Sequence, residues 1–222
     1  MRDRRFVLGA LAASAFAAPA FGQARYPDRP IRLIVPFGPG GLADVTARIV
    51  GERAGQILGQ QIVIVNQPGA GGVQAARAAL GAAADGYSLI LFTNGTAISV
   101  PLVKELGYDP LKQFVPVSSL GFFDFLLLTS GEHPHRSLQE LLAAAKARPG
   151  ALNIGTINVG SSQNLSAQLF KTMAGVDMAI VPFRTSPDAM TALLRKDVDL
   201  VIDGYVAAKA LMADGKIRAL AT

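Results

Sequence analysis

The stretch that most constrains this chain is Pro36–Asp44, which reads P-F-G-P-G-G-L-A-D. It follows the apolar run Ile31–Val35 and precedes a pattern with apolar residues at Leu42, Val45, Ile49, Ile57 and Leu58. A short apolar run, a glycine turn and a helical period together predict strand, tight turn and helix. Such a turn aims the unpaired N–H groups of a helix start at whatever lies above it, which makes it a natural seat for an anion. A βα turn that simply needs small residues explains the glycines equally well. Gly38, Gly40 and Ala43 also fit a loose dinucleotide fingerprint, which demands an acidic residue at the end of the second strand. Asn66 stands there instead, after Ile62–Val65, and no lysine follows the glycines as a phosphate-binding loop requires. Neither nucleotide reading holds.

Residues 1–24 read as a secretion signal and not as fold. Arg2, Arg4 and Arg5 make a basic start, Phe6–Ala18 an apolar stretch, and Gly22-Gln23-Ala24 a small-residue cleavage site. Arg4-Arg5 with Leu8 partly matches a twin-arginine signal, so both export routes stay open. The apolar stretch is short for a membrane span of about 20 residues. Three arginines and one aspartate leave with the signal, so the formal charge of +5 falls by two. That modest excess suits an anionic ligand, but Lys and Arg are scattered and no nucleic-acid motif appears. The chain has no cysteine, which excludes a disulfide scaffold and any thiolate site.

Along the chain, strand and helix patterns alternate. The first strand is Ile31–Val35, the first helix Leu42–Leu58, and the second strand Ile62–Val65. Asn66–Gly72 forms another glycine-rich connection before a helix over Val73–Leu80. Ser88–Phe92 is the third strand and empties into Thr93-Asn94-Gly95-Thr96. Asp44 falls in the first turn of the first helix with Arg48 four residues on, which fits either a cap with an ion pair or a direct ligand contact. Phe122–Leu128 reads as a long strand that crosses between domains. His133 and His135 lie in a surface turn and read as solvent-facing, since no third metal ligand is near in sequence. Ser137 caps a helix over Leu138–Ala147, and Asn153–Thr156 is the next strand. Ser161 or Ser162 caps a helix whose apolar face is Leu165, Leu169 and Met173, with Met173 placed in the core. Met178–Pro182, a helix begun by Pro187, Val198–Ile202, a helix over Val206–Met212 and the strand start Ile217–Leu220 complete the series.

Repeated strands and helices argue for an α/β protein with parallel sheets covered on both faces, whose strand ends carry the ligand loops. No nucleophile elbow, zinc pair or paired-carboxylate arrangement is present, so no catalytic residue, metal site or cofactor is expected. The loops offer hydrogen-bond donors without a base, which suits a carboxylate cradle and not a reaction centre.

From Tyr26 to Thr222 the chain resembles the substrate-binding proteins of tripartite tricarboxylate transporters, the Bug receptor family. The matching pieces are Y-P-D-R-P-I at 26–31, P-F-G-P-G-G-L-A-D at 36–44 and N-Q-P-G-A-G-G at 66–72. They continue with D-G-Y-S-L at 85–89, Y-D-P-L-K-Q-F-V-P-V at 108–117 and V-P-F-R at 181–184. The resemblance implies a periplasmic-binding-protein-like clamshell of two α/β domains in the periplasm. Residues 25–122 would be the first domain, 123–216 the second, and 217–222 the start of a return crossing. It also implies a monomer that traps a small mono-, di- or tricarboxylate and presents it to integral-membrane permease subunits in a transient contact. Carried onto this sequence, the grip would come from Phe37, Gly38, Gly40, Gly41 and Asp44, with Gly69, Ala70, Gly71 and Gly72. Thr93, Asn94 and Thr96 would join them, Ser161, Ser162, Arg184 and Thr185 would close from the other side, and Asp203 would read the far end of the ligand. Asn164 replaces a histidine common in the family, Arg184-Thr185 a usual Lys-Gly, and Val100 an asparagine. Relatives look longer, so the chain is expected to be C-terminally truncated and its first domain incomplete. The alternatives are a soluble carboxylate sensor for a two-component system and a non-functional truncated relic.

Overall fold

The computed structural model describes residues 25–222; the secretion-signal reading lies outside them. The first sheet holds β1 (Ile31–Val35), β2 (Ile62–Asn66) and β3 (Ser88–Ile90), all parallel, in the order β2-β1-β3. Its connections are α1 (Leu42–Leu58) and α2 (Val73–Leu80), and α3 (Asn94–Leu102) follows β3. Parallel strands put every carboxyl end at one edge, so the loops after Val35, Asn66 and Ile90 share that edge. Ile34 and Val35 are fully buried at the centre of this layer.

The second sheet has the order β6-β5-β7-β4-β8, built from β4 (Phe125–Ser130), β5 (Asn153–Ile157), β6 (Ala179–Phe183), β7 (Leu200–Gly204) and β8 (Ile217–Ala221). Its helices are α4 (Leu138–Ala147), α5 (Ser162–Ala174), α6 (Ser186–Arg195) and α7 (Tyr205–Ala213). Ile154, Leu200, Val201 and Met178 are fully buried, and removing each such side chain from water stabilises the fold by about 1.5–3 kcal/mol. β5, β6 and β7 are parallel, but β4 runs antiparallel to both β7 and β8. The expectation of wholly parallel sheets is therefore corrected for this layer. Because β4 is reversed, its first residue, Phe125, pairs with Gly204 at the carboxyl end of β7. The segment that leads into β4 thus arrives at the edge where the β5, β6 and β7 loops lie. β8 ends beside Leu127 at the same edge.

Three further expectations change. The strand over Phe122–Leu128 starts only at Phe125, and Phe122 and Phe123 stay outside it, 93% and 49% exposed. On α5, Leu169 and Met173 face solvent, with Met173 79% exposed, so Met173 is not core. The helix is rotated because its amides turn inward: Asn164 donates to Thr156 Oγ1 at 3.2 Å and Gln163 to Asp203 Oδ1 at 3.2 Å, which buries Gln163, Asn164 and Ala167 instead. His133 is not solvent-facing either. Its side chain is 9% exposed, with Nε2 3.6 Å from Asp199 Oδ1.

Candidate functional site

The carboxyl edges of the two sheets face each other across a cavity of about 590 Å³. Four helices begin at its wall, represented by Leu42 of α1, Asn94 of α3, Ser162 of α5 and Ser186 of α6. Each helix start carries a partial positive charge and N–H groups with no partner inside the helix. Gly41 caps α1 without a side chain, so that end keeps donors that a serine or aspartate cap would have engaged.

On the first lobe, Phe37, Gly38 and Gly41 line the cavity, joined by Leu42, Ala43 and Thr46. Gly40 does not. Its backbone takes φ +80°, which favours glycine, and its N–H donates to Asp44 Oδ2 at 3.0 Å. Asp44 is buried and serves the turn itself. It accepts from Arg48 Nε at 2.9 Å and from Asn66 Nδ2 at 2.8 Å, and Asn66 also donates to the Phe37 carbonyl at 2.9 Å. Burial pushes the Asp44 carboxyl up, but Arg48, the Gly40 N–H and Asn66 outweigh it and hold the group below the usual range. The pair left open by the sequence is thus a brace beneath the glycine turn, with Asp44 buried and Arg48 half exposed. Asn66, which stood where a dinucleotide site needs an acid, is part of that brace.

Gly69, Ala70, Gly71 and Gly72 do not line the cavity, and Gly71 approaches Gly160 of the second sheet's loops. A Cβ on Gly71 would stand 3.2 Å from the carbonyl of Gly160, and one on Gly95 would stand 3.4 Å from the same oxygen. The Gly72 N–H donates to the Gly69 carbonyl at 3.0 Å. Thr93 and Asn94 line the cavity, whereas Thr96 is buried beneath them, its Oγ1 3.5 Å from the Thr93 N–H. Thr93 Oγ1 is buried at the cap of α3.

On the second lobe, Ser161 is consumed by structure. Its hydroxyl donates to the Ile157 carbonyl at 2.9 Å and accepts from the Asn164 N–H at 3.1 Å. Ser162 lines the cavity beside it. Thr185 also lines the cavity while capping α6, accepting from the Asp188 N–H at 3.2 Å. The Arg184 side chain reaches the wall with no ion pair or hydrogen bond among the described residues. Asp203 sits behind the wall, fully buried. Its Oδ1 accepts from Gln163 and from the Gly204 N–H at 2.7 Å, and its Oδ2 has no partner. Burial raises its pKa above the ordinary carboxylate value, against the pull of Ser186, the Gly204 N–H and Gln163. Ser186 Oγ lies beside that carboxyl and is buried with it.

Several lining residues carry no sequence signal for a site. Ser118–Phe125 forms a continuous part of the wall, and Gln163 joins it. The segment became legible only through the antiparallel entry of β4. Gln163 could have been found from its place just after the cap Ser161, one helical position inside a βα turn. Among the described residues no group of three or more His, Asp or Glu side chains could hold a metal ion. Among the described residues the wall thus offers N–H and hydroxyl donors and the unpaired Arg184 guanidinium, a set suited to an anion.

Residues 46–222 match the tripartite tricarboxylate transporter family receptor, TctC. The chain is 36% identical over 217 residues to Protein BugT of Bordetella pertussis, covering 97% of this chain and 67% of that one. Among solved structures, Rpa4515 of R. palustris with adipate superposes with a TM-score of 0.82 at 36% identity, covering 88% of this chain and 66% of that one. MatC from Rhodopseudomonas palustris with bound malate gives 0.80 at 35% identity, with 88% and 67% covered. The chain spans about two thirds of the length of these relatives, and 60% of another curated relative. Family, relatives and fold agree that the chain belongs to the tripartite tricarboxylate transporter receptors, the Bug-type solute-binding proteins, and not to an enzyme family.

Proposed function

We propose that the protein is a periplasmic receptor that captures a small carboxylate between its lobes and delivers it to integral-membrane permease subunits. The observation that carries this reading is the convergence of four helix starts and the unpaired Arg184 on one cavity. Each helix start favours an anion by about 0.3–1 kcal/mol, and more where it is partly buried. A charge-assisted bond from Arg184 adds about 1.5–3 kcal/mol. The ligands of the two solved neighbours, adipate and malate, support the class of solute. In this reading the residues brought to the wall (Phe37, Gly38, Gly41, Thr93, Asn94, Ser162, Arg184 and Thr185) touch the ligand. Gly40, Asp44, Gly69–Gly72, Thr96, Ser161 and Asp203 shape the loops that hold it. The chain divides near residue 122 and acts as a monomer. No helix of the described residues is long and apolar enough to cross a membrane, which suits a receptor that meets its permease from outside the bilayer. Isothermal titration of the purified protein with hexanoate, adipate, malate and citrate tests the proposal. At least one acid should bind with a stoichiometry of one, and the absence of heat for all of them at millimolar concentration would defeat it.

A further inference from the structure

The charges on the cavity wall are few. Among the described residues Arg184 is its sole cation and Asp124 its sole anion, and neither side chain has an ion pair or hydrogen bond there. The two belong to different parts of the wall. Arg184 stands next to Thr185 and Ser186 at the start of α6, where the donors are. Asp124 stands within the apolar run Leu120–Phe125, whose Phe122, Phe123 and Phe125 face the cavity together with Leu91 and Phe92. Ser186 Oγ, beside the Asp203 carboxyl, and Thr93 Oγ1, at the cap of α3, are buried beneath the donor part of the wall.

Resting on the receptor reading above, we infer that this site selects an acid with a single carboxylate and an apolar body, and that Asp124 rejects a second anionic group. One carboxylate saturates Arg184, with the N–H groups at the start of α6 beside it as further donors. A second would enter an apolar stretch that holds a carboxylate already and offers it no cation. A like charge nearby, with no cation beside it, disfavours the second carboxylate. The apolar body gains by covering the phenylalanine wall. The 590 Å³ volume lies in the range of small-molecule sites and accommodates chains of this size. Selectivity of this kind rests on a repulsive element as much as on an attractive one. The protein would then differ from its two solved neighbours, whose bound adipate and malate each carry two carboxylates.

The test is a calorimetric comparison at pH 7 of hexanoate, adipate and 6-aminohexanoate, which share a six-carbon chain and differ at its far end. For the unmodified protein, hexanoate should bind at least about tenfold more tightly than either other acid. Asp124→Asn should move the adipate-to-hexanoate affinity ratio at least about fivefold toward adipate, with an unchanged unfolding midpoint to show that the variant is folded. Adipate binding as well as hexanoate, or a ratio insensitive to Asp124→Asn, would overturn the inference and leave the carboxylate receptor standing. Tighter binding of 6-aminohexanoate than hexanoate would overturn it too, by making Asp124 a partner for a cation. Failure of every acid to bind would instead bring down the receptor reading on which it rests.

Discussion

Gly38 leaves little room where the two sheets' loops meet, and it gives a sharp handle on closure. A Cβ added there would stand 2.6 Å from Thr185 Cγ2 and 3.5 Å from Thr185 Cβ. Carbon atoms pack best at about 3.5–4 Å, so Gly38→Ala forces the two loops apart by roughly 1 Å or turns Thr185 out of its rotamer. Thr185 resists turning, because its hydroxyl donates to Asp188 Oδ2 at 2.7 Å and accepts from the Asp188 N–H as the cap of α6. Overpacking of this sort costs about 1–3 kcal/mol, and only the closed arrangement bears it. A ligand that binds the closed form therefore loses the same amount, and its dissociation constant should rise about 5- to 150-fold. Titration calorimetry with the tightest acid of the panel measures the change. Thr185→Ser removes Cγ2 and keeps the capping hydroxyl, so the double variant should recover most of the affinity. Binding by Gly38→Ala within about twofold of the unmodified protein would refute the reasoning. So would a loss that Thr185→Ser leaves unrelieved, since the clash would then not be its source.

Two buried carboxylates make opposite predictions. Asp44→Ala strands Arg48, Asn66 Nδ2 and the Gly40 N–H, and should cost about 2–4 kcal/mol in urea unfolding at pH 7. Because the native pKa of Asp44 lies below its unfolded value, its contribution is complete above about pH 4 and is lost as pH falls through the native value. The gap between the two proteins should therefore narrow in acid, and a gap that is flat down to about pH 2.5 would count against the brace. For Asp203 the shift is upward, so its contribution is complete only below about pH 4 and is lost as pH rises through the raised native value. Asp203→Asn, which mimics the neutral acid, should unfold at a higher temperature than the unmodified protein at pH 7 and at about the same temperature near pH 4. A lower midpoint at pH 7 would show that the charged form is stabilised by contacts beyond Ser186, Gly204 and Gln163.

Local chemistry was enough to place most helices. α1, α2 and α4 run over Leu42–Leu58, Val73–Leu80 and Leu138–Ala147, as their apolar periods predict. Their boundaries are written within a few residues: Gly59 ends α1 in the left-handed conformation at φ 69°, and the Ser137 hydroxyl accepts from Glu140 N–H to start α4. The glycine turn after β1 was legible for the same reason, as was the family, since ordered short motifs survive in the chain whatever surrounds them. Tertiary structure decided the rest. A helical period says that one face is buried but not which, and inward amide bonds from Gln163 and Asn164 turned α5 so that Leu169 and Met173 face water. The reversal of β4 depends on pairing with β7 and β8, partners about 75 and 90 residues away along the chain. That reversal is what brings Leu120–Phe125 and Asp124 to the cavity. Likewise Asp44 and Gly40 could be named as site residues from sequence, but whether an N–H meets a ligand or a neighbouring carboxylate depends on where Asn66 and Arg48 point. Sequence specifies local conformation through interactions a few residues long, whereas the chemistry of a wall between two sheets arises from contacts that only the assembled fold creates.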